Sequence, residues 1–359
     1  MHTQHPTLLI GPSDWDDARA PRAEFEQRIA ALWAAFPDAS QAIVFGSAAR
    51  HAELAYLTHF VPKLEPGIAL LARDDNHKLL FGGGPNMIGA MQPLTFIAEM
   101  APLNALAKLV AGWASPLLVG GGAMSSAVRK TVDEATNRTA QDATAHVQGL
   151  MRSKSPTELA AIGAARDSLN ATMKAMRDAV RIGGDTMIAL LAGERAANDS
   201  GVQDIRTLFS LDGGRTLRPF EALDHRYVDP LQVYVAVRKF NYWAEGFVCI
   251  SNESQPAASL AALLLDNALS AIRPGVPVAQ LSKILAVGTP YKLHPVTRGA
   301  PVRPIGLSLD AAPTTNFEPD EVYSVRAGLT DGADQHAILS AMIAVRDNGT
   351  EVLWRSGIA

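Results

Sequence analysis

The chain has 359 residues, 48% hydrophobic and 19% charged, with 36 acidic against 32 basic side chains and a formal net charge of −4. That length is enough for two domains with buried cores, and the composition is globular rather than disordered. The mixed, slightly acidic charge excludes a dedicated nucleic-acid binder, which carries a basic stripe, and the lone cysteine, Cys249, excludes an intrachain disulfide and fits a reducing compartment.

The opening residues, Met1-His2-Thr3-Gln4-His5-Pro6, lack a basic segment followed by an apolar one, so no secretory signal is expected. No apolar run reaches the ~20 residues needed to span a bilayer; Leu260 to Ile272 comes nearest and is broken by Asp266 and Asn267. A soluble, cytoplasmic protein without membrane or nucleic-acid partners is expected.

Ala20 to Phe36 sets Phe25, Ile29, Leu32 and Trp33 at helical spacing, which predicts a helix with one buried face. Ala42 to Gly46 is a short apolar run ended by glycine, a buried strand by its length. Ile68 to Ala72 and Lys78 to Phe81 read as strands joined by the polar turn Asp74 to His77. Pro116 to Val119 precedes Gly120-Gly121-Gly122, which lacks the spacing of a dinucleotide fingerprint. Gly82-Gly83-Gly84-Pro85 is read as a turn. Such alternation implies an α/β domain.

A boundary is expected near Met151. Ser155 can cap a helix whose first residue is Pro156 and whose capping box closes with Glu158. The helix continues through Leu159, Ile162, Ala165 and Leu169. Pro219 and Pro230 mark a loop, followed by strand-like runs at Gln232 to Val237 and Trp243 to Ile250. Ser259 to Ile272 is a predicted helix that stops at Pro274-Gly275. From Ile284 onward short strands and turns are expected, clearest at Val322 to Val325 and Ala341 to Val345.

Several of these segments, in this order, resemble the family of creatinase, prolidase and aminopeptidase P. They are the helix start Arg152 to Leu159, Ile272-Arg273-Pro274-Gly275-Val276, Pro304-Ile305-Gly306-Leu307, Phe317 to Gly328 and Val345 to Leu353; Ala55 to Phe60 is similar to the family's amino-terminal domain. The resemblance implies an α/β amino-terminal domain of the creatinase type over residues 1–150, then an α+β pita-bread domain over 151–359, in a homodimer.

In that family two Asp, one His and two Glu hold two metal ions, because hard cations need oxygen-rich ligands to activate water. Anchored on Asn241-Tyr242, the two Asp positions fall on Tyr234 and Glu245. The His position, before Pro304-Ile305-Gly306, is Arg303. The Glu positions are Arg326, two before Gly328, and Ser340, nine before Gly349. Four of the five ligands are thus replaced, and the fifth is a lengthened carboxylate. A further family His, seven residues after the metal His, falls on Asp310, and another, upstream of the first Asp, falls near Arg215 and Thr216; His225 is the nearest histidine to that one.

The resemblance therefore implies neither metal nor other cofactor. It points to a metal-independent, creatinase-like hydrolase or lyase for a small carboxylate-bearing amide, amidine or amino-acid-like substrate. Glu245 with His294 or His225 would move protons, while Arg303, Arg326, Tyr234, Ser340 and Asp310 would bind the substrate. Trp243 and Phe247 would fill a core or pocket wall. The alternative is a non-catalytic pseudo-peptidase that binds a small ligand or a protein partner, with Glu245 merely neutralising an arginine. Two arginines facing one glutamate would leave one positive charge unbalanced, a place for an anionic ligand.

Overall fold

Where the apolar spacing predicts the first helix, the computed structural model has Arg22–Ala35, with Phe25, Ile29, Leu32 and Trp33 buried. The structure describes residues 14–63, 65–83, 85–219, 228–253, 255–288, 290–311, 314–331 and 335–357. The chain parts between Arg152 and Ser153 into two units.

The first unit is built on a six-stranded sheet: β1 (Gln41–Gly46), β2 (Gly67–Ala72), β3 (Lys78–Phe81), β4 (Glu99–Pro102), β5 (Leu117–Val119) and β6 (Gln141–Asp142), in the order β4-β3-β2-β1-β5-β6. One face buries Ile43, Phe45, Ile68, Leu70, Leu80 and Leu118 against Leu106, Val110 and Val132 from helices Leu106–Val110 and Ser126–Ala135. Gly120 and Gly121, after β5, serve close packing. Gly120 has φ +74°, and a Cβ there would lie 2.5 Å from the Phe45 carbonyl oxygen, so only glycine fits.

The second unit opens with the helix Pro156–Arg181. Ser155 and Glu158 form the reciprocal capping box expected of their spacing. After the helix Thr186–Asp199 come β7 (Asp204–Phe209), β8 (Arg218–Pro219), β9 (Leu231–Lys239) and β10 (Tyr242–Ile250), in a sheet of order β10-β9-β7-β8. The helix Pro256–Ala271 leads to β11 (Lys292–Leu293), β12 (Val302–Pro304), β13 (Val322–Thr330), β14 (His336–Arg346) and β15 (Gly349–Arg355). This sheet has the order β11-β13-β14-β15, with β12 also paired to β13. β13 and β14 run well beyond the short strands expected, and a short helix, Pro295–Gly299, stands where only strands and turns were expected.

Strand alternation divides β13 and β14 into two faces. Odd-numbered residues, among them Val325, Ala327, Leu339 and Ala341, join Ala261, Leu265 and Ala268 of the helix Pro256–Ala271 in one apolar core. Even-numbered residues lie on the other face, which meets β10. Backbone clamps hold the two sheets there. The Gln232 side chain donates to the carbonyls of Val248 and Ile338 and accepts from the Ile338 amide. The Trp243 amide donates to the Gly306 carbonyl, and the Phe247 amide to Ser340 Oγ.

Candidate functional site

The site begins with a tight turn. β9 and β10 are joined by Phe240 and Asn241 alone, with φ +49° and +71°, between the paired residues Lys239 and Tyr242. Two positive φ values in a two-residue loop match the twist of a hairpin, and asparagine tolerates that backbone. The Gln203 amide holds the turn, accepting from the Asn241 amide at 2.6 Å and donating to Asn241 Oδ1 at 3.0 Å. The register that follows sets Glu245 opposite Ala236 and Phe247 opposite Tyr234, so Tyr234 and Glu245 are diagonal neighbours on one face. In the facing sheet Arg303 pairs with Ser324 and Arg326 with Ser340.

Four of the expected site residues meet in one hydrogen-bonded cluster. Glu245 is fully buried, at 0% exposure. Its Oε1 accepts from Arg326 Nη2 at 2.6 Å. Its Oε2 accepts from the Tyr234 hydroxyl at 2.5 Å and from Arg303 Nη1 at 3.1 Å. Arg303 Nη1 also approaches the Tyr234 oxygen at 3.4 Å. The two arginines differ: the Arg326 side chain is 3% exposed and that of Arg303 31%. Phe247 forms a wall, its ring 4.8 Å from that of Tyr234 and 5.3 Å from Arg326 Cζ. Arg326 Nε and Ser324 Oγ are buried polar atoms without a hydrogen-bond partner.

Burial alone would raise the Glu245 pKa, but Arg326, Arg303 and the Tyr234 hydroxyl outweigh it and hold the carboxyl below its ordinary range. Burial, reinforced by the Glu245 charge, pushes the Tyr234 phenol up. The cluster is therefore a neutral phenol, one carboxylate and two guanidinium groups, with one positive charge in excess.

The other expected residues stand differently. Ser340 lies opposite Arg326, but its hydroxyl accepts the Phe247 amide while Ser356 brackets its own backbone amide and carbonyl. It is a strand clamp first. His294 is buried at the cap of Pro295–Gly299, where Nδ1 accepts from the Val296 amide and Nε2 faces the Gly214 carbonyl at 3.1 Å. Its ring stands 5.9 Å from that of His336 and makes no hydrogen bond to Glu245 or to either arginine of the cluster. Burial lowers its pKa, and the Gly214 carbonyl opposes this only in part. Asp310 is exposed, its amide turned to Ser308 Oγ, and takes no part in the cluster. His225 lies outside the described residues. Two aromatic residues expected as core or wall, Trp243 and Phe247, are buried at 2% and 4% exposure.

No family model matches the sequence, and no curated protein sequence matches it. Solved structures do match, over nearly the whole chain. A prolidase from Pyrococcus horikoshii OT3 superposes with a TM-score of 0.74 at 12% identity, covering 92% of this chain and 99% of that one. An X-Pro aminopeptidase from Thermotoga maritima MSB8 gives 0.73 at 14%, covering 93% and 99%. A dipeptidase from Mycobacterium ulcerans gives 0.71 at 16%, covering 96% and 98%. The chain has the pita-bread fold.

By the sequence resemblance the expected ligand positions of two metal ions are Tyr234, Glu245, Arg303, Arg326 and Ser340, and the chemistry of this donor set does not suit them. Hard divalent cations take several oxygen ligands, with carboxylates to balance charge. Here the one carboxylate already accepts from a phenol and two guanidinium groups, whose charge repels a cation. Among the described residues no group of three or more His, Cys, Asp or Glu is placed to hold a metal ion.

Proposed function

We propose that this centre works without metal ions, binds a small carboxylate-bearing molecule through Arg303 and Arg326, and hydrolyses an amide- or amidine-type C–N bond in it. One observation carries the reading: two guanidinium groups share the single carboxylate of Glu245, and the buried Nε–H of Arg326 has no acceptor. An uncompensated buried charge costs several kcal/mol, which a ligand carboxylate would offset through charge-assisted hydrogen bonds. The partial exposure of Arg303 gives such an anion a way in. The hydrolytic part draws on the solved relatives, which carry the names prolidase, X-Pro aminopeptidase and dipeptidase.

Hydrolysis adds hydroxide to the carbon and a proton to the leaving nitrogen. A group must take the proton from water and return it. With three donors on it, Glu245 is a weak base. An incoming carboxylate that takes over the guanidinium groups removes what depresses its pKa and frees it to accept a proton. No hydrogen bond links His294 to this step. The homodimer remains part of the proposal on the strength of the resemblance, and the cytoplasmic setting on the single thiol, Cys249. No helix among the described residues is long and apolar enough to cross a membrane.

The full occupancy of Glu245 favours a second reading, a binding protein without turnover. One experiment separates the two. The protein is screened by thermal shift against N-acyl amino acids and guanidino acids, and each stabiliser is then incubated with it and assayed for released amine or ammonia. Stabilisation with release that Glu245→Gln abolishes supports hydrolysis. Stabilisation without release from any stabiliser leaves the binding protein. No stabilisation by any carboxylate means a sealed ion network and refutes both.

A further inference from the structure

On the same face of the sheet, one strand beyond β9, stands an arginine that sequence patterns alone do not single out. Arg206 lies on β7 opposite Ala236, which in turn lies opposite Glu245. The three residues form one row across the sheet, and alternation points them to one side. Neighbouring strands are ~4.8 Å apart, so the backbone at Arg206 is about 10 Å from that at Glu245. The residue between them is alanine, so no large side chain stands in that row.

The next row holds Asp204, Arg238 and Trp243. Arg238 is buried and directed at Asp204, 3.7 Å away. Asp204, two residues before Arg206 on the same face of β7, pairs with Arg238 and not with Arg206. It is exposed, its Cζ lies 4.7 Å from the Trp243 ring centroid, and it makes no ion pair among the described residues. Arg238 Cζ lies 5.4 Å from the same centroid. The indole thus holds Arg206 by a cation–π contact while a second cation crowds it. Among the described residues Arg303 and Arg326 pair with Glu245 and Arg238 with Asp204, while Arg206 pairs with no carboxylate.

We infer that the ligand carries two anionic groups, one held by Arg303 and Arg326 and the second received by Arg206 on its tryptophan platform. The inference rests on the carboxylate site proposed above and adds the substrate class: a small dicarboxylate, such as an acidic amino-acid derivative, rather than a monocarboxylate. Stacking on Trp243 limits the orientations open to the guanidinium and leaves its edge for bidentate contacts. Arg206 is then a specificity-determining residue that acts on the end of the ligand away from Glu245.

The test is calorimetric titration of the full chain with malonate, succinate, glutarate and adipate, each against the monocarboxylate of equal carbon number, in the parent, Arg206→Gln, Arg206→Lys and Arg303→Met. In the parent the best dicarboxylate is expected to bind roughly threefold to fivefold tighter than its monocarboxylate, the worth of an exposed ion pair. Arg206→Gln brings that ratio to about one, and Arg206→Lys keeps part of it because the charge remains. A ratio near one in the parent, or one that survives Arg206→Gln, overturns the inference while leaving the carboxylate site standing. Failure of both classes to bind the parent, or binding that survives Arg303→Met undiminished, overturns the carboxylate site and this inference with it.

Discussion

Glu245 sits with no exposed surface yet stays ionised, because three donors converge on its two oxygens. Such a group reveals its worth when removed alone. Glu245→Gln leaves two guanidinium groups without a counter-ion and is expected to cost about 3–5 kcal/mol in urea unfolding, whereas Glu245→Met combined with Arg326→Met should cost far less, since replacing both partners of a buried pair by apolar groups is often neutral. Glu245 and His294 contribute to the pH dependence, beside His59 and His77, whose pKa values burial also lowers. Glu245 contributes stability that is fully present above its unfolded pKa, about 4.3, and is lost as the pH falls through the lowered folded value. His294 is neutral in the fold and its pKa is lowered, so the unfolded chain binds the extra proton. Its contribution is present above the unfolded pKa of about 6.5 and is lost as the pH falls below it. The melting temperature should therefore begin to drop below about pH 6.5, and His294→Asn should make that first part of the curve shallower, with the shares of His59 and His77 left in place. A melting temperature that rises between pH 7 and 5 would contradict the sign.

The elements that place these residues are held by hydrogen bonds to backbone amides. Ser340→Ala deprives the buried Phe247 amide of its acceptor, for which about 1–3 kcal/mol is expected in the same unfolding experiment. Gln203→Ala strips the Asn241 amide at the hairpin turn and should cost a similar amount. Much of this framework was legible in the sequence. The capping box at Ser155 and Glu158 announced its helix, and the long apolar runs announced β9 and β10. Anchored on Asn241-Tyr242, on Pro304-Ile305-Gly306 and on Gly328, the resemblance put Tyr234, Glu245, Arg303 and Arg326 in one place although they are far apart along the chain. β13 and β14 looked too short for a physical reason. Their site-facing residues include Arg326, Gly328, His336 and Ser340, which interrupt the apolar pattern where the protein needs polarity. The helix Thr186–Asp199 left no clear stripe because Ile188 and Leu191, 49% and 50% exposed, blur its two faces. Ser340 as a clamp and His294 as a cap were out of reach, since both roles depend on which backbone groups other strands and loops bring near. Arg206 was missed because Asp204 to Phe209 carries too few apolar residues to read as a strand.

At the scale of the molecule, a shared fold at 12–16% identity fixes where side chains converge and not what they do. The resemblance places four carboxylates and a histidine around two dications. On the proposed reading two guanidinium groups take two of those five positions, with one carboxylate between them, and the centre keeps a cationic character that is covalently part of the chain. Protein incubated with manganese or zinc and then dialysed is expected to retain well below one equivalent per chain by elemental analysis. Arg326→Glu should not change that, because Arg303 and the hydroxyls of Tyr234 and Ser340 still supply neither charge nor geometry for a dication. The same variant places a second carboxylate beside Glu245 and leaves Arg303 as the only guanidinium of the cluster, so it should lose any stabilisation by small carboxylates. Two equivalents of metal retained by the parent would show that other residues hold it, and the ion cluster would then be a structural element beside the working centre. Metal gained by Arg326→Glu alone would show instead that this arginine is the barrier keeping dications out.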